Sequence, residues 1–352
     1  MAKMVTVRSV IAVAASKHWH IYQMDVYNAF LQGDLFEDVH MQLLQGYNIK
    51  GESRNKRGSA LVVILVYVDD LLVTGNDPSL IQSARENLQK KFKMKDLGEL
   101  RFFLGIEFAC SKAGILMNQR KYALDLIADS GLGGAKPASI PLECNQRLTT
   151  AKFDEVVLGS EDVTNAGVKD NVLPDPEPYQ RLVGKLLYLT MTRPDIAYVV
   201  LVLSQFMHKP KRSHMDAALR VIRYVKNAPG LGLLMPSQQS KSLVAFCDSD
   251  WASCPQSRKS VTGYLVKFGN SLISWKSKKQ NTVSRSSAEV EFRSMASTVA
   301  EVSWLVGLFK ELGIQIQLPI PLHCDSKTAI QIVANLIFHE RTKHIDIDCH
   351  FV

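Results

Sequence analysis

One stretch narrows the possible folds more than any other. Residues 61–68 form an unbroken apolar run rich in β-branched side chains. The run ends on two adjacent carboxylates, Asp69 and Asp70, before a second apolar segment, 71–74. Such a run reads as a buried strand, with the following segment as its hairpin partner. Two neighbouring carboxylates at the end of a buried strand repel each other, and they are costly unless a cation or solvent neutralises them. Asp is also a common turn residue, so an isolated Asp-Asp pair has an ordinary structural explanation beside the functional one.

The rest of the chain reads as mixed α and β structure. Residues 1–20 have helical character, 21–26 strand character, and 48–59 form a polar, basic loop. A helix is expected at 78–92, a strand pair at 102–108 and 114–117, and a helix at 122–129. Residues 143–178 are polar, weakly periodic and end in Pro174, Pro176 and Pro178, which reads as a mobile connector. Helices at 179–207 and 214–227 are broken by Pro194 and Pro210. Strands follow at 243–247 and 263–274, then a long helix at 287–312, a strand at 322–325 and a helix at 327–335. A charged, apolar-flanked N-terminus superficially resembles a short signal peptide. A helix packed on a core explains 1–20 better, because its apolar stretch is very short.

The second part repeats the acidic device. Asp248 ends the strand L-V-A-F-C-D and Asp250 follows, while Asp325 closes the strand L-H-C-D just before a helix. Strand-end acids plus one helix acid are what a two-metal nuclease needs: one ion generates the hydroxide and one shields the leaving oxygen. Two glutamates compete for the helix position. Ser286 followed by Glu289 fits a capping box, which gives Glu289 a structural task. Glu291 lies about 200° further round the helix, so both cannot face one metal, and Glu291 is the choice. Lys276, Lys278, Lys279 and Arg285 flank the stretch. They suit nucleic-acid phosphates, or are simply a solvated basic face.

Bulk properties agree with a nucleic-acid partner without requiring one. The net charge is +8 over 352 residues, with 46% hydrophobic and 22% charged residues; the excess favours a polyanion or marks a merely basic protein. The length suits two or three domains. Six cysteines form no C-x-x-C pair, so free thiols in a reducing, intracellular compartment are expected, with no secretion. No apolar run approaches a membrane span, so no membrane partner is expected.

Tyr67-Val68-Asp69-Asp70 resembles the Y-V-D-D hairpin of reverse transcriptases, and Gln23-Met24-Asp25-Val26 resembles the first palm motif of copia-type LTR retrotransposons (Pseudoviridae-like). The likeness continues through Met94–Gly98, Phe103–Glu107 and Thr192-Arg193-Pro194-Asp195. It then passes into segments similar to copia-type ribonuclease H: Thr262-Gly263-Tyr264, Ser286-Ser287-Ala288-Glu289 and Thr342-Lys343-His344-Ile345. Glu291 also precedes the x-x-small pattern that follows the catalytic glutamate in ribonucleases H.

The resemblance implies a Pol polyprotein fragment of α/β (α+β) class. A palm-type reverse transcriptase sheet with helices would occupy 1–142, a connector 143–178 and a helical connection region 179–240. A ribonuclease H-like mixed sheet with flanking helices would occupy 241–352. It implies two Mg2+ ions per active site, held by Asp25, Asp69 and Asp70 in one and by Asp248, Glu291 and Asp325 in the other. Phe30 would be the steric gate against the ribonucleotide 2′-hydroxyl, or plain core. RNA, DNA and RNA–DNA hybrid are the implied partners, and deoxynucleotides the implied substrates. His344 reads as a packing or hydrogen-bonding residue.

Three departures temper the implied activity. Only twenty positions separate Tyr47 from Tyr67, where the family carries a longer stretch that includes a template-gripping segment. The start before Asp25 leaves out most of the fingers. The family's last catalytic aspartate lies in a C-terminal segment after Val352, and Asp346 and Asp348 belong to a different motif. The expectation is an absent or very weak polymerase and an impaired ribonuclease. The competing class is a catalytically dead nucleic-acid-binding remnant.

Overall fold

A computed structural model describes residues 3–26, 60–143, 147–157 and 170–334. Phe30, His344, Asp346 and Asp348 lie outside the described residues.

The N-terminal helix α1 (Met4–Lys17) ends where His18 turns left-handed. Its residues from Val7 to Ser16 are buried, as a helix packed on a core requires. The first sheet follows: β1 (Ile21–Val26), β2 (Val62–Tyr67), β3 (Asp70–Gly75) and β4 (Met94–Glu99), in the order β2-β3-β1-β4. Helix α2 (Pro78–Lys91) opens on Asp77, whose carboxylate accepts from the Ser79 and Leu80 N–H groups, an N-cap followed by Pro at the first helical position. It buries Ile81 and Leu88 against Met24, Leu71 and Val73, which cover one face of the sheet.

A second antiparallel sheet contains β5 (Phe102–Phe103), β6 (Ile106–Ser111), β7 (Gly114–Asn118) and β8 (Leu233–Pro236) in that order. The continuous strand expected at 102–108 is divided, because Leu104 and Gly105 both take positive φ and turn the chain. Strand β8 had no sequence signal. It is four residues long and pairs with β7 across more than a hundred positions, a contact that local pattern does not encode.

Helices α3 (Arg120–Asp129), α4 (Ala151–Val157), α5 (Glu177–Leu189), α6 (Ala197–Ser204) and α7 (Arg212–Val225) follow in chain order. All but α4 contribute buried residues to one apolar cluster. The break between α5 and α6 is built by Arg193 and Asp195 around a short 3-10 turn at Pro194–Ile196. Arg193 Nη2 lies 2.7 Å from Asp195 Oδ2, and Nη1 donates to the Ala228 carbonyl at 3.1 Å.

The connector expected to be mobile is partly docked. Asp154 of α4 and Asp170 place carboxylate oxygens 2.5 and 2.8 Å from the buried Lys211 ammonium. A buried cation needs such partners; Lys211 drew in acids that composition alone assigned to a solvated linker.

His214 completes this cluster. It is buried, accepts from Lys211 N–H at Nδ1 (3.0 Å) and faces the Thr149 carbonyl at Nε2 (3.0 Å). Burial, then the Lys211 charge, push its pKa down to about 4. A base with a lowered folded pKa binds protons better when unfolded, so its contribution to stability is present above the unfolded value of 6.5 and is lost as pH falls towards 4. The loss over that window is about 3 kcal/mol. Denaturant midpoints measured from pH 7 to 4 should fall more steeply for the parent than for His214→Gln. Parallel curves would refute the assignment.

The third sheet has the order β11-β10-β9-β12, built from β9 (Leu243–Asp250), β10 (Val261–Phe268), β11 (Ser271–Lys279) and β12 (Leu322–His323). The stretch 263–274 is a hairpin rather than one strand, turning at Gly269, whose φ is +56°. Strand β9 runs on through Asp250, and β12 stops before Asp325. Helix α8 (Ser287–Glu311) crosses β9 and β10, and α9 (Lys327–Ala334) follows β12. Helix α1 packs on β7, β8 and β11, so one core joins the second and third sheets.

Two candidate carboxylate sites

The first site is set by strand register. Asp25 of β1 lies directly opposite Asp70 of β3, and Lys95 of β4 lies on the other side of Asp25. Opposed residues of an antiparallel pair project to the same face, here the face that α2 leaves uncovered. The hairpin between β2 and β3 closes on the pair Tyr67 and Asp70, with Val68 and Asp69 as its loop. Val68 has φ +52°, a conformation costing a β-branched residue about 1–3 kcal/mol. The strain sits at the tip that carries the acids.

Burial raises the pKa of Asp70; a hydrogen bond from Gln23 Nε2 (3.3 Å) opposes that, and the Asp25 and Asp69 charges add to it. Asp69 Oδ1 is buried with no hydrogen-bond partner among the described residues. An orphaned buried carboxylate oxygen beside two like charges is a donor set that suits a hard cation.

The second site is tighter. Strands β9 and β12 run parallel as neighbours, which brings Asp248 and Asp325 to the same end of the sheet. Helix α8 is tied to that end by Ser294 Oγ, 3.1 Å from the Asp248 carbonyl. Glu291 is 7% exposed and its Oε1 accepts from Ser249 N–H at 3.2 Å. Burial, then Asp248 and Asp325, push its pKa up to about 7. Glu289 is turned away and caps the helix: its Oε2 accepts from Arg285 N–H at 2.8 Å, Oε1 pairs with Arg293 at 2.8 Å, and Ser286 Oγ accepts from Glu289 N–H.

Among the described residues, one trio of metal-capable side chains has ligand atoms all within 4.8 Å of one another: Glu291, Cys324 and Asp325. Asp25, Asp69 and Asp70 do not gather that closely. Cys324 was not read from the sequence as part of the site. The repeat of Cys247-Asp248 in Cys324-Asp325 was the available signal. Burial raises the pKa of both thiols, Cys247 to about 12. A neutral thiol is a poor partner for a hard ion, so within that trio the oxygens of Glu291 and Asp325 are the donors that suit one; Asp248 acts on Glu291 through its charge and is not part of the gathered trio.

The basic residues separate into two groups. Lys276 and Lys278 are exposed on one face of β11 and line a pocket of about 340 Å³ with Thr282 and Arg293. Lys279 points the other way, with Nζ 2.9 Å from Gln205 Oε1 and 2.8 Å from Cys254 Sγ. Burial alone would raise the Cys254 pKa, but this ammonium and the Ser257 hydroxyl bring it down to about 7. Arg285 is exposed just before α8.

Residues 54–144 match the family profile described as reverse transcriptase (RNA-dependent DNA polymerase). The chain is 38% identical over 393 residues to the retrovirus-related Pol polyprotein from transposon RE1 of Arabidopsis thaliana, covering 99% of this chain and 26% of that protein. It is 30% identical over 399 residues to the corresponding polyprotein from transposon TNT 1-94 of Nicotiana tabacum, covering 100% and 29%. A putative transposon Ty5-1 protein of Saccharomyces cerevisiae is 31% identical over 244 residues, covering 68% and 74%. The chain thus spans about a quarter of the length of the Pol polyproteins it matches.

Proposed function

The chain belongs to the copia-type retrotransposon Pol polyprotein family, and from that premise we propose that it carries the carboxylate centres of two activities, RNA-directed DNA polymerase and ribonuclease H. In this reading the first sheet with α2 is a reverse transcriptase palm, and the third sheet with α8 and α9 is a ribonuclease H-like unit. The observation that carries the second half is the approach of Glu291 to Asp325 and Asp248, with Glu289 committed to the helix cap.

Asp248, Glu291 and Asp325 would hold two divalent ions, Mg2+ by preference for hard oxygen donors. Bound there, such ions supply a hydroxide nucleophile and shield the leaving oxygen of a phosphodiester. The chain's own part is positional. Ser249 N–H fixes one Glu291 oxygen, and the Ser294 hydroxyl bonded to the Asp248 carbonyl keeps α8 in register with β9. Lys276 and Lys278 would grip the phosphates of an RNA–DNA hybrid without reading sequence. The protein would act inside the cell.

The polymerase half is proposed to be defective. The alignment to RE1 runs over 393 positions against 352 residues here, so at least 41 positions of the relative have no counterpart. Loss of the template-gripping stretch between Asp25 and Tyr67 would account for a shortfall of that size. Positioning of template and primer supplies a large part of such rate acceleration. Incubation of the purified chain with primed RNA template, deoxynucleotides and Mg2+ should give incorporation at background, while an RNA–DNA hybrid is cleaved with Mg2+ and not with EDTA. Robust extension abolished by Asp69→Asn would refute the first half, and a hybrid bound but never cut would leave a nucleic-acid-binding remnant in place of the second.

A further inference from the structure

A cleft of about 720 Å³ opens beside the second carboxylate site, where α6 faces the loop leaving β9. Its wall carries two aromatic rings, Tyr198 and Trp251, which are 44% and 50% exposed. One exposed ring would be ordinary, but two in one cleft form an apolar patch of the kind that marks a binding surface. Trp251 is not loose: its indole N–H donates to the Ser284 carbonyl at 3.3 Å. The ring is therefore held in place with its surface free to stack.

Two arginines, Arg147 and Arg258, line the same cleft. Neither has an ion-pair partner among the described residues. Arg258 stands on a stiff loop, where its N–H donates to the Cys254 carbonyl at 2.9 Å and Cys254 N–H donates to the Lys259 carbonyl at 3.2 Å. Two acids share the lining. Glu143 is paired with Arg220 at 2.7 Å, and Asp250 lies two positions from Asp248 on the same face of β9. The cleft is thus continuous with the carboxylate end of the sheet.

We propose that this cleft seats an unpaired stretch of nucleic acid, with a base stacked on Trp251 or Tyr198 and the neighbouring phosphates on Arg147 and Arg258. Bases inside a duplex are already stacked on one another, whereas an unpaired base offers its face to an aromatic ring, and every base has such a face. The volume suits a nucleotide-sized guest. Arginines with no ion-pair partner among the described residues supply the complementary charge. The proposal rests on the reading of the chain as a nucleic-acid enzyme, and it adds a strand-holding site beside the cutting site.

The test uses the full chain in EDTA, so that binding is measured without cleavage. Labelled ten-nucleotide single strands of uridine or deoxyuridine are titrated, with a blunt RNA–DNA hybrid as a separate arm. Trp251→Ala should weaken single-strand binding about tenfold. Arg258→Gln should also weaken it and reduce the slope of log K against log salt by about 0.7. Affinity for the blunt hybrid should change less than about twofold in both variants, and the two single-strand arms identify the preferred sugar. Single-strand binding that is absent in the parent, or equal in parent and both variants, would overturn the proposal. The hybrid cleavage assay with Mg2+ is read separately, so loss of cleavage with cleft binding intact would count against the nuclease reading alone.

Discussion

Asp248→Asn is expected to reduce magnesium-dependent cleavage of an RNA–DNA hybrid by about three orders of magnitude. The substitution keeps the side chain's shape and removes one formal charge from the end of β9. Ser249 N–H, now bonded to Asp248 Oδ1 at 2.8 Å, can still find the amide oxygen, so the strand should hold its place. The cluster loses one of the anions that would hold a divalent ion there. Removing several kcal/mol of charge stabilisation from a phosphodiester transition state corresponds to that factor. Hybrid affinity in EDTA should be nearly unchanged, because in the proposed reading the phosphate contacts would fall to Lys276 and Lys278. A variant that cuts within about tenfold of the parent would show that Asp248 lies outside the reacting centre, and attention would pass to Asp325 and Glu291 alone.

The sequence exposed the strand-end acids because each lies at the end of an apolar strand run, and strand direction then decides which ends meet. Asp248 and Asp325 could be paired on that basis, since both close an apolar strand run; that β12 lies parallel beside β9, with the β10–β11 hairpin and α8 between them in the chain, came from the structure. Glu291 was separable from Glu289 because a helix turns about 100° per residue and Ser286 claimed Glu289 for the cap. Cys324 was not found, since a thiol has no periodic signature and its place depends on how α8 and β12 meet. The docking of Asp154 and Asp170 on Lys211 was equally hidden: their local sequence is that of a linker, and the buried ammonium that recruits them is more than forty positions away. Strand β8 belongs with these cases, because its partner is fixed by tertiary packing alone. Local chemistry was legible; long-range pairing of short or polar segments was not.

Glu291→Gln should make the metal-free protein more stable at pH 8 and should abolish its stabilisation by Mg2+. Glu291 is buried against Asp248 and Asp325, and both the loss of water and the two charges act against its ionised form. An isosteric amide removes that conflict. Its carbonyl oxygen can still accept from Ser249 N–H, while its NH2 group can donate to Asp325, so no buried polar atom is orphaned. The gain at pH 8 should be about 1–2 kcal/mol, visible as a rise in Tm in EDTA. The parent should recover this difference when Mg2+ is added, because an ion that binds the folded state alone stabilises it by mass action. The variant should respond little, since a neutral amide leaves the repulsion for the cation to relieve much reduced. Calcium offers a control that binds oxygen ligands without needing turnover. Equal magnesium-induced shifts in parent and variant would place the ion elsewhere, and a lower Tm for the variant in EDTA would mean that the Glu291 carboxylate is held by contacts stronger than the repulsion it suffers.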